Sequence, residues 1–215
     1  MGRPRLDDQL TKLNDEVLLL SSMVSEAMLG AVKALRTRDV QTSREIYAND
    51  ARINEKRLEI ETFCITVIST QQPVARDMRM LASILEITTE LERIGDYAKG
   101  IARINVMLHQ HRDARQHAIP EELDEMATRA ADMLHRSLTA FVQGDVKSAR
   151  AIPKEDDAVD ALYTRVYKDL IGRMTSDPST VDDSNYLLWA AHNLERTADR
   201  VTNICERTVF VATGK

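Results

Sequence analysis

Residues 91–101 read LERIGDYAKGI, and residues 194–204 read LERTADRVTNI. Five positions are identical, pairing Leu91, Glu92, Arg93, Asp96 and Ile101 with Leu194, Glu195, Arg196, Asp199 and Ile204. A second pair of segments, RDVQTSREIYANDARIN (residues 38–54) and GDVKSARAIPKEDDAVD (residues 144–160), aligns without gaps. Because both segments recur in the same order, the sequence predicts a duplicated architecture.

Apolar residues recur at spacings of three and four, which is typical of a helix that packs one face against its neighbours. The first series is Leu6, Leu10, Leu13, Val17, Leu20, Val24, Ala27, Ala31 and Ala34. Such series and their end signals predict six helices. In the first half they run from Leu6 to near Arg36–Arg38, from Asp39 to about Gln71, and from about Val74 past Leu108. In the second half they run from about Leu123 to Gly144, from Asp145 to near Ser176–Pro178, and from about Asp182 to Val211. Two matching sets of three predict an all-α fold of two tandem three-helix bundles.

The composition excludes the common alternatives, because the 215 residues include only seven Gly and five Pro. Sandwiches, barrels and βαβ arrays need turn residues at short intervals. No GxGxxG or GxxxxGK[ST] segment occurs, which excludes Rossmann and P-loop enzymes. Inside the fifth helix, Pro153 removes a backbone hydrogen bond and predicts a kink or a short break.

A polar stretch from Gln110 to Ile119 separates the two halves. It divides the chain into a first bundle over residues 1–112, a linker over 113–120 and a second bundle over 121–215. Three histidines lie in or beside this stretch, and we expect them to be solvated: His109, His111 and His117.

The remaining totals indicate a soluble cytoplasmic protein. A net charge of −5 provides no overall attraction to nucleic acid. Uninterrupted apolar runs are short, as at Val17–Leu20, and the N-terminus lacks the apolar core of a signal peptide, so no membrane insertion is expected. Cys64 and Cys205 are too few for a disulfide framework and are interpreted as small buried hydrophobic residues.

Pairs of acidic residues four apart are the candidates for chemistry, because such pairs share one side of a helix. They are Glu92 with Asp96, Glu195 with Asp199, and Asp156 with Asp160, while Asp50 with Asn54 is the first-half counterpart of the last pair. If the helices that carry them pack side by side, each half gathers three or four oxygen donors. Hard cations bind such clusters, and Fe, Mn, Mg or Ca are candidates.

A solvated face with salt bridges is the alternative interpretation. This interpretation fits the first half, where Lys99 and Arg103 lie on the same side of the predicted helix as Glu92 and Asp96. It suits the second half less well, because no basic residue follows Asp199 at the next turn. In either case these acidic residues lie away from the apolar face of their helix, so we expect a site at the surface.

The sequence contains no recognisable catalytic machinery, so we expect a protein that is not an enzyme. Di-iron helical bundles carry Glu-x-x-His on two helices, whereas His192 precedes Glu195 in the reverse order. No HExxH segment and no nucleophile motif occurs.

Several of these segments resemble the PhoU family of phosphate-signalling proteins. They are QPVARDMR (residues 72–79), LERIGDYAKGIARI (91–104) and LERTADRVTNICE (194–206). The resemblance implies a cytoplasmic, non-enzymatic negative regulator of phosphate uptake and of the phosphate-starvation response. It also implies a homodimer that acts as an adaptor between the ATPase subunit of the phosphate ABC transporter and the sensor histidine kinase.

The resemblance further implies metal clusters at the acidic motifs, with no organic cofactor. By position, the ligands would be Asp50, Glu92, Asp96, Asp156, Asp160, Glu195 and Asp199, and the ions considered are Fe, Mn, Mg or Zn. Asn54 stands where an acidic residue can occur, which weakens the first site, and Thr197 replaces an aliphatic residue of the family pattern.

Two other functions remain open at this stage. One is a carboxylate-cluster metalloprotein with redox or hydrolytic activity. The other is direct phosphate sensing through Arg93 and Arg196, which rests only on their repeated position, since arginines at such places commonly pair with neighbouring acids.

Overall fold

The computed structural model describes residues 4–110 and 118–214. Its helices are α1 (Pro4–Thr37), α2 (Val40–Gln71), α3 (Arg76–Gln110), α4 (Glu122–Gln143), α5 (Val146–Ala151), α6 (Asp156–Ser176) and α7 (Val181–Thr213). Short 3-10 turns at Ile152–Glu155 and Pro178–Thr180 precede α6 and α7. No strand occurs within the described ranges, and the predicted all-α class is confirmed.

The ends of the helices follow the predicted signals. Asp39 caps α2, because its side chain accepts a hydrogen bond from the Thr42 backbone N–H at 3.0 Å. Asp145 caps α5 by accepting from the Ser148 N–H at 3.1 Å. Gly144 ends α4 with a φ of 68°, a left-handed conformation that favours glycine.

Pro153 divides the predicted fifth helix, as expected. Helix α5 ends at Ala151, the turn Ile152–Glu155 follows, and α6 begins at Asp156. The break arises because proline has no N–H to donate and its ring clashes with the carbonyl four residues earlier. As a consequence, Asp156 becomes the first residue of a new helix.

The two predicted bundles are present and lie side by side. Helices α1, α2 and α3 form the first bundle, and α4, α6 and α7 form most of the second. Helix α3 also packs along α7, and α1 contacts α4. The buried apolar residues of both bundles therefore form one continuous core.

Helices α3 and α7 run antiparallel and are joined by polar contacts. Near one end, Arg79 Nε donates to the Val211 carbonyl at 3.3 Å. Further along, Glu90 Oε2 accepts from Asn203 Nδ2 at 3.1 Å and lies 3.3 Å from a guanidinium nitrogen of Arg200. These contacts link the same segments that carry the repeated motif.

Helix α1 is more apolar over its length than its short uninterrupted apolar runs indicate. Within Leu6–Thr37, a window of 18 residues has a mean hydropathy of 1.5, enough by length and composition to cross a membrane. The uninterrupted apolar runs of α1 are too short to reveal this mean hydropathy. In the fold, Leu13, Val17 and Leu20 are fully buried, so the apolar face of α1 forms part of the bundle core.

The predicted linker lies mostly outside the described residues, and so do His111 and His117. His109 belongs to the last turn of α3 and is exposed, as expected. Residues 118–120 lead without helix to α4. The division into residues 1–112 and 121–215 stays a prediction.

Both cysteines are buried, as predicted. Cys64 is 0% exposed and Cys205 is 1% exposed. Burial raises the pKa of each thiol to about 12, so both stay protonated and pack as small apolar groups.

Helices α2 and α3 approach closely at Gly95. A Cβ atom there would lie 3.2 Å from Ile53 Cγ2, whereas one at Gly172 on α6 would meet nothing within 4 Å. We expect Gly95→Leu to lower the free energy of unfolding by about 2 kcal/mol through overpacking. Gly172→Leu serves as the control and is expected to raise it by about 0.5 to 1 kcal/mol through helix propensity. Urea denaturation measures both, and equal effects would contradict the close approach.

Candidate carboxylate sites

Four predicted ligands come together where α6 packs against α7, and we call them the second cluster: Asp156, Asp160, Glu195 and Asp199. Burial, followed by the charges of Asp160 and Asp199, raises the pKa of Asp156 to about 6. Burial and the Asp199 charge also raise the pKa of Asp160 and of Glu195. Because neighbouring carboxylates raise the pKa of Asp156, Asp160 and Glu195, helix packing has brought these charges into one electrostatic group.

The second cluster has almost no compensating charge. Among the described residues, no Lys or Arg nitrogen lies within 4.0 Å of the carboxylates of Asp156, Asp160 or Asp199. His192 Nδ1 lies 3.2 Å from Glu195 Oε2. Asp156 Oδ1 is shielded from solvent and has no hydrogen-bond partner. Such an unpaired buried oxygen is costly unless another group binds it.

The break at Pro153 contributes to the position of Asp156. Because α6 begins at Asp156, its carboxylate lies in the first turn of that helix, and its backbone N–H donates to the Pro153 carbonyl of the preceding 3-10 turn. Glu195 and Asp199 project from consecutive turns of α7, which packs beside α6. The second cluster therefore combines side chains from the beginning of α6 with side chains from two consecutive turns of α7.

The first cluster, Asp50, Glu92 and Asp96, lies between α2 and α3 and contains a cation. Lys99 Nζ lies 2.7 Å from Asp50 Oδ2 and 3.8 Å from Asp96 Oδ1. Asn54 Nδ2 donates to the same Asp50 oxygen at 3.1 Å. Burial and the Asp96 charge raise the pKa of Glu92. The lysine ammonium thus lies against two of the three predicted ligands.

The expected surface position is wrong for Asp50, which is only 5% exposed. Its Oδ1 atom lies 3.9 Å from the position that a Cβ of Gly95 would take, because the small glycine lets α2 and α3 approach there. Asp96 and Asp160 are exposed, as predicted.

The difference between the clusters arises from a few substitutions between the repeats. Extended along the helices with the same offsets, 106 residues for α2 and 103 for α3, the repeat alignment pairs Tyr47, Asn54, Arg57 and Lys99 with Pro153, Asp160, Tyr163 and Thr202. The second cluster therefore lacks equivalents of Lys99 and of Arg57, whose charge acts on Glu92 in the first cluster, and it has one more carboxylate. It has also lost the Tyr47 ring, whose centre lies 5.4 Å from Lys99 Nζ.

The two clusters differ in how well they suit a metal ion. In the described part of the chain, no three His, Cys, Asp or Glu side chains are arranged closely enough to hold one. The second cluster nevertheless offers an unpartnered oxygen and only carboxylate oxygens, which hard cations prefer. The first cluster fits poorly because Lys99 would have to leave, and both ligand sets stay predictions.

The repeated arginines have local partners. A guanidinium nitrogen of Arg93 lies 3.1 Å from Glu90 Oε1. Arg196 stacks over the Tyr97 ring at 5.0 Å from its centre. Thr197 is buried. Its hydroxyl donates to the Asn193 carbonyl at 2.8 Å, so the polar group at this core position has a hydrogen-bond partner.

Sequence reasoning did not find that Lys99 pairs with Asp50, because the two residues are 49 positions apart. Spacing within one helix places Lys99 only beside Asp96, one turn earlier on α3. Tyr163 and His192, which flank the second cluster, were also missed as neighbours. The repeat alignment contained the signal, since it pairs Arg57 with Tyr163.

In chelator-treated protein, Asp156→Asn is expected to raise the free energy of unfolding at pH 7 by about 1 kcal/mol, a value reduced for solvent screening. The folded pKa of Asp156 is about 6, above its ordinary 3.8, so folding disfavours the ionised form. The penalty is absent below about pH 4, grows as the pH rises to 6 and is complete above it. Urea denaturation at pH 4 and pH 7 measures the gain. An equal gain at both values would contradict the assigned cause.

Fold and clusters together define a class: a duplicated all-α protein of two three-helix bundles, each with the same acidic pair on its last helix. The family model described as the PhoU domain matches residues 17–104 and again residues 123–208, once in each bundle. The chain belongs to the PhoU domain family.

Curated relatives match along nearly the whole chain. A phosphate-specific transport system accessory protein PhoU homolog from Clostridium acetobutylicum is 34% identical over 216 residues, covering 100% of this chain and 97% of that protein. The phosphate-specific transport system accessory protein PhoU of Escherichia coli is 29% identical, covering 96% of this chain and 85% of that protein.

Two crystal structures have the same fold. The phosphate transport system regulatory protein PhoU from Streptococcus pneumoniae matches with a TM-score of 0.89 at 31% identity, covering 98% of each chain. PhoU from Pseudomonas aeruginosa also gives a TM-score of 0.89, at 26% identity, over 97% of this chain and 99% of that one.

Proposed function

We propose that this protein is a cytoplasmic accessory protein of phosphate transport that negatively regulates phosphate uptake and the phosphate-starvation response. The observation that carries the proposal is the match, in both bundles and over the full chain, to relatives described as accessory or regulatory proteins of that system. Since these relatives are not described as enzymes, the proposed role is binding rather than catalysis.

In detail, the protein acts as a homodimeric adaptor between the ATPase subunit of the phosphate ABC transporter and the sensor histidine kinase. Long helices around one continuous core support this role, because they present wide surfaces of fixed shape. An adaptor transmits a signal only if it binds one conformation of its partner more tightly than another. The bound transporter state would then bias the kinase through this chain.

Co-purification tests the adaptor role. The tagged full-length protein is isolated from cells grown in high and in low phosphate, and bound proteins are identified by mass spectrometry. We expect the transporter ATPase and the kinase in phosphate-rich cells, with the amount of at least one of them changing in low phosphate. Recovery of neither partner in either medium contradicts the proposal.

We also propose that the second cluster binds a metal ion, with Fe, Mn, Mg or Zn as candidates. Support comes from the unpartnered Asp156 Oδ1 and from four carboxylates that, in the described part of the chain, have no Lys or Arg nitrogen within 4.0 Å. A bound cation would neutralise these charges and tie α6 to α7. The ligands of the first cluster are proposed only for a state in which Lys99 has moved away from Asp50.

A carboxylate-cluster metalloprotein with redox or hydrolytic activity is the alternative function. It predicts an activity that is lost in Glu195→Ala with Asp199→Ala while the fold survives. The adaptor proposal instead predicts that metal-stripped wild-type protein still binds its partners. Elemental analysis, followed by co-purification of the stripped protein, distinguishes the two functions.

A further inference from the structure

A row of aromatic side chains crosses the α6–α7 face of the second bundle. The ring centres of Tyr163 and Tyr167 are 6.4 Å apart, and those of Tyr163 and His192 are 6.0 Å apart. Trp189 lies one turn before His192 on α7 and makes an edge contact with Tyr186, with centres 6.0 Å apart. We name these five residues the aromatic belt.

The aromatic belt is open to solvent along much of its length. Trp189 is 54% exposed and Tyr167 is 47% exposed. Ile171, one turn beyond Tyr167 on α6, is exposed as well. Several exposed apolar side chains on one face are typical of a site where another molecule binds, and Trp and Tyr contribute strongly to binding energy there.

The surroundings of the aromatic belt are acidic. Helical spacing places Asp156, Asp160, Tyr163 and Tyr167 on one stripe of α6 that contains no lysine or arginine. The second cluster also adjoins the belt through α7, since His192 Nδ1 lies 3.2 Å from Glu195 Oε2. This face therefore combines aromatic rings with unneutralised negative charge.

The basic residue nearest in sequence on this part of α7 is already engaged. Arg196 lies over the ring of Tyr97 on α3, 5.0 Å from its centre. It therefore points toward the α3 side of α7 rather than toward α6, and it provides no counter-charge to the carboxylates of the second cluster.

The equivalent face of the first bundle is different. Tyr163, Tyr167 and Trp189 correspond to Arg57, Glu61 and Glu86 in the repeat alignment. Arg57 pairs with Glu61 at 3.2 Å, and Glu86 pairs with Arg207 at 2.8 Å. Because charged residues satisfy each other at these positions in the first bundle, the aromatic belt is not required by the fold.

We propose that the aromatic belt and the second cluster, in the metal-free state of that cluster, together bind a basic amphipathic helix of a partner protein. The apolar face of that helix lies on Tyr167 and Trp189, and its arginine or lysine side chains reach the carboxylates of the second cluster and the faces of the rings. The physiological meaning of this surface rests on the proposed adaptor role, but its binding is measurable on the purified chain alone.

Trp189 makes the test direct, because it is the single tryptophan of the chain. The probe is a synthetic amphipathic peptide of leucine and arginine, about 18 residues or five helical turns long. Its twin has glutamate in place of each arginine. With the full-length protein in chelator, we expect the basic peptide to bind with a blue shift of Trp189 emission and the acidic twin not to bind.

Matched variants locate the binding surface. Tyr167→Ser with Ile171→Ser removes two exposed apolar side chains next to the reporter and is expected to weaken peptide binding about tenfold. Leu58→Ser with Ile65→Ser removes two exposed apolar side chains from the first bundle and is expected to change binding by less than about twofold. Calorimetry measures the affinity of each variant, and circular dichroism confirms that both fold.

Several outcomes would overturn the proposal. Binding without a change in Trp189 emission, or equal weakening in both variants, places the peptide elsewhere. A blue shift with phosphatidylcholine vesicles but not with the peptide indicates a membrane surface. A red shift on dilution of the protein alone indicates that a second copy covers the belt. If the peptide test succeeds and co-purification finds no transporter ATPase or kinase, the surface stands and the proposed function fails.

Discussion

Replacing Lys99 with methionine is expected to lower the free energy of unfolding by about 2 to 3 kcal/mol, because buried Asp50 loses its counter-charge. The ammonium lies 2.7 Å from Asp50 Oδ2, and Asp50 is only 5% exposed. Methionine keeps most of the length of lysine and its apolar stem, so the substitution removes mainly the charge. Urea denaturation at neutral pH measures the loss.

Two controls separate this loss from a general effect of removing a cation. Arg129→Met breaks an exposed pair with Glu125 on one helix and is expected to cost at most about 0.5 kcal/mol. Adding Asp50→Asn to Lys99→Met is expected to restore most of the stability, because no buried charge then remains unpaired. Equal losses in Lys99→Met and Arg129→Met would contradict the pairing.

Adding Mn²⁺ to chelator-stripped wild-type protein is expected to raise its melting temperature by about 5 to 10 °C. An ion present at about 100 times its dissociation constant stabilises the folded state by about 2.7 kcal/mol. For a chain of this size, each kcal/mol corresponds to about 2 to 4 °C. Differential scanning calorimetry with and without the ion measures the shift.

The duplicated sequence provides the matched control for the metal experiment. Glu195→Gln with Asp199→Asn is expected to abolish the shift, because it removes two carboxylates that have no counter-charge apart from His192. Glu92→Gln with Asp96→Asn changes the equivalent positions of the first cluster and is expected to retain most of it. If only the first-cluster variant lost the shift, the assignment of the ion to the second cluster would be wrong.

Most of the fold could be predicted because its signals are local. The three-and-four spacing of apolar residues identified the helices, and Asp39, Asp145 and Gly144 marked three of their ends. Pro153 predicted the break before α6, because proline has no backbone N–H to donate and its ring clashes with the preceding turn. The repeat then supplied the architecture, since two copies of one pattern predict two copies of one bundle.

The contents of the two clusters could be predicted only in part. The sequence identified the carboxylates, because their spacing on one helix is visible. It did not reveal that Lys99 neutralises Asp50, since that contact depends on how α2 packs against α3. The lack of a basic residue after Asp199 was visible, but the burial of Asp156 Oδ1 was not, because burial depends on tertiary packing.

The aromatic belt lay beyond sequence reasoning for the same reason. Tyr163 and Trp189 belong to different helices, and spacing within one helix does not reveal a row of rings across two. The continuous core between α3 and α7 was hidden as well, because two tandem repeats can equally form separate bundles.

The central claim, that this protein restrains the phosphate-starvation response, is tested most directly by a reporter of that response in cells from which its gene has been deleted. In phosphate-rich medium, we expect high reporter expression without the gene and repression once the full-length protein is supplied again. A reporter that stays repressed in the deletion strain would contradict the proposed function.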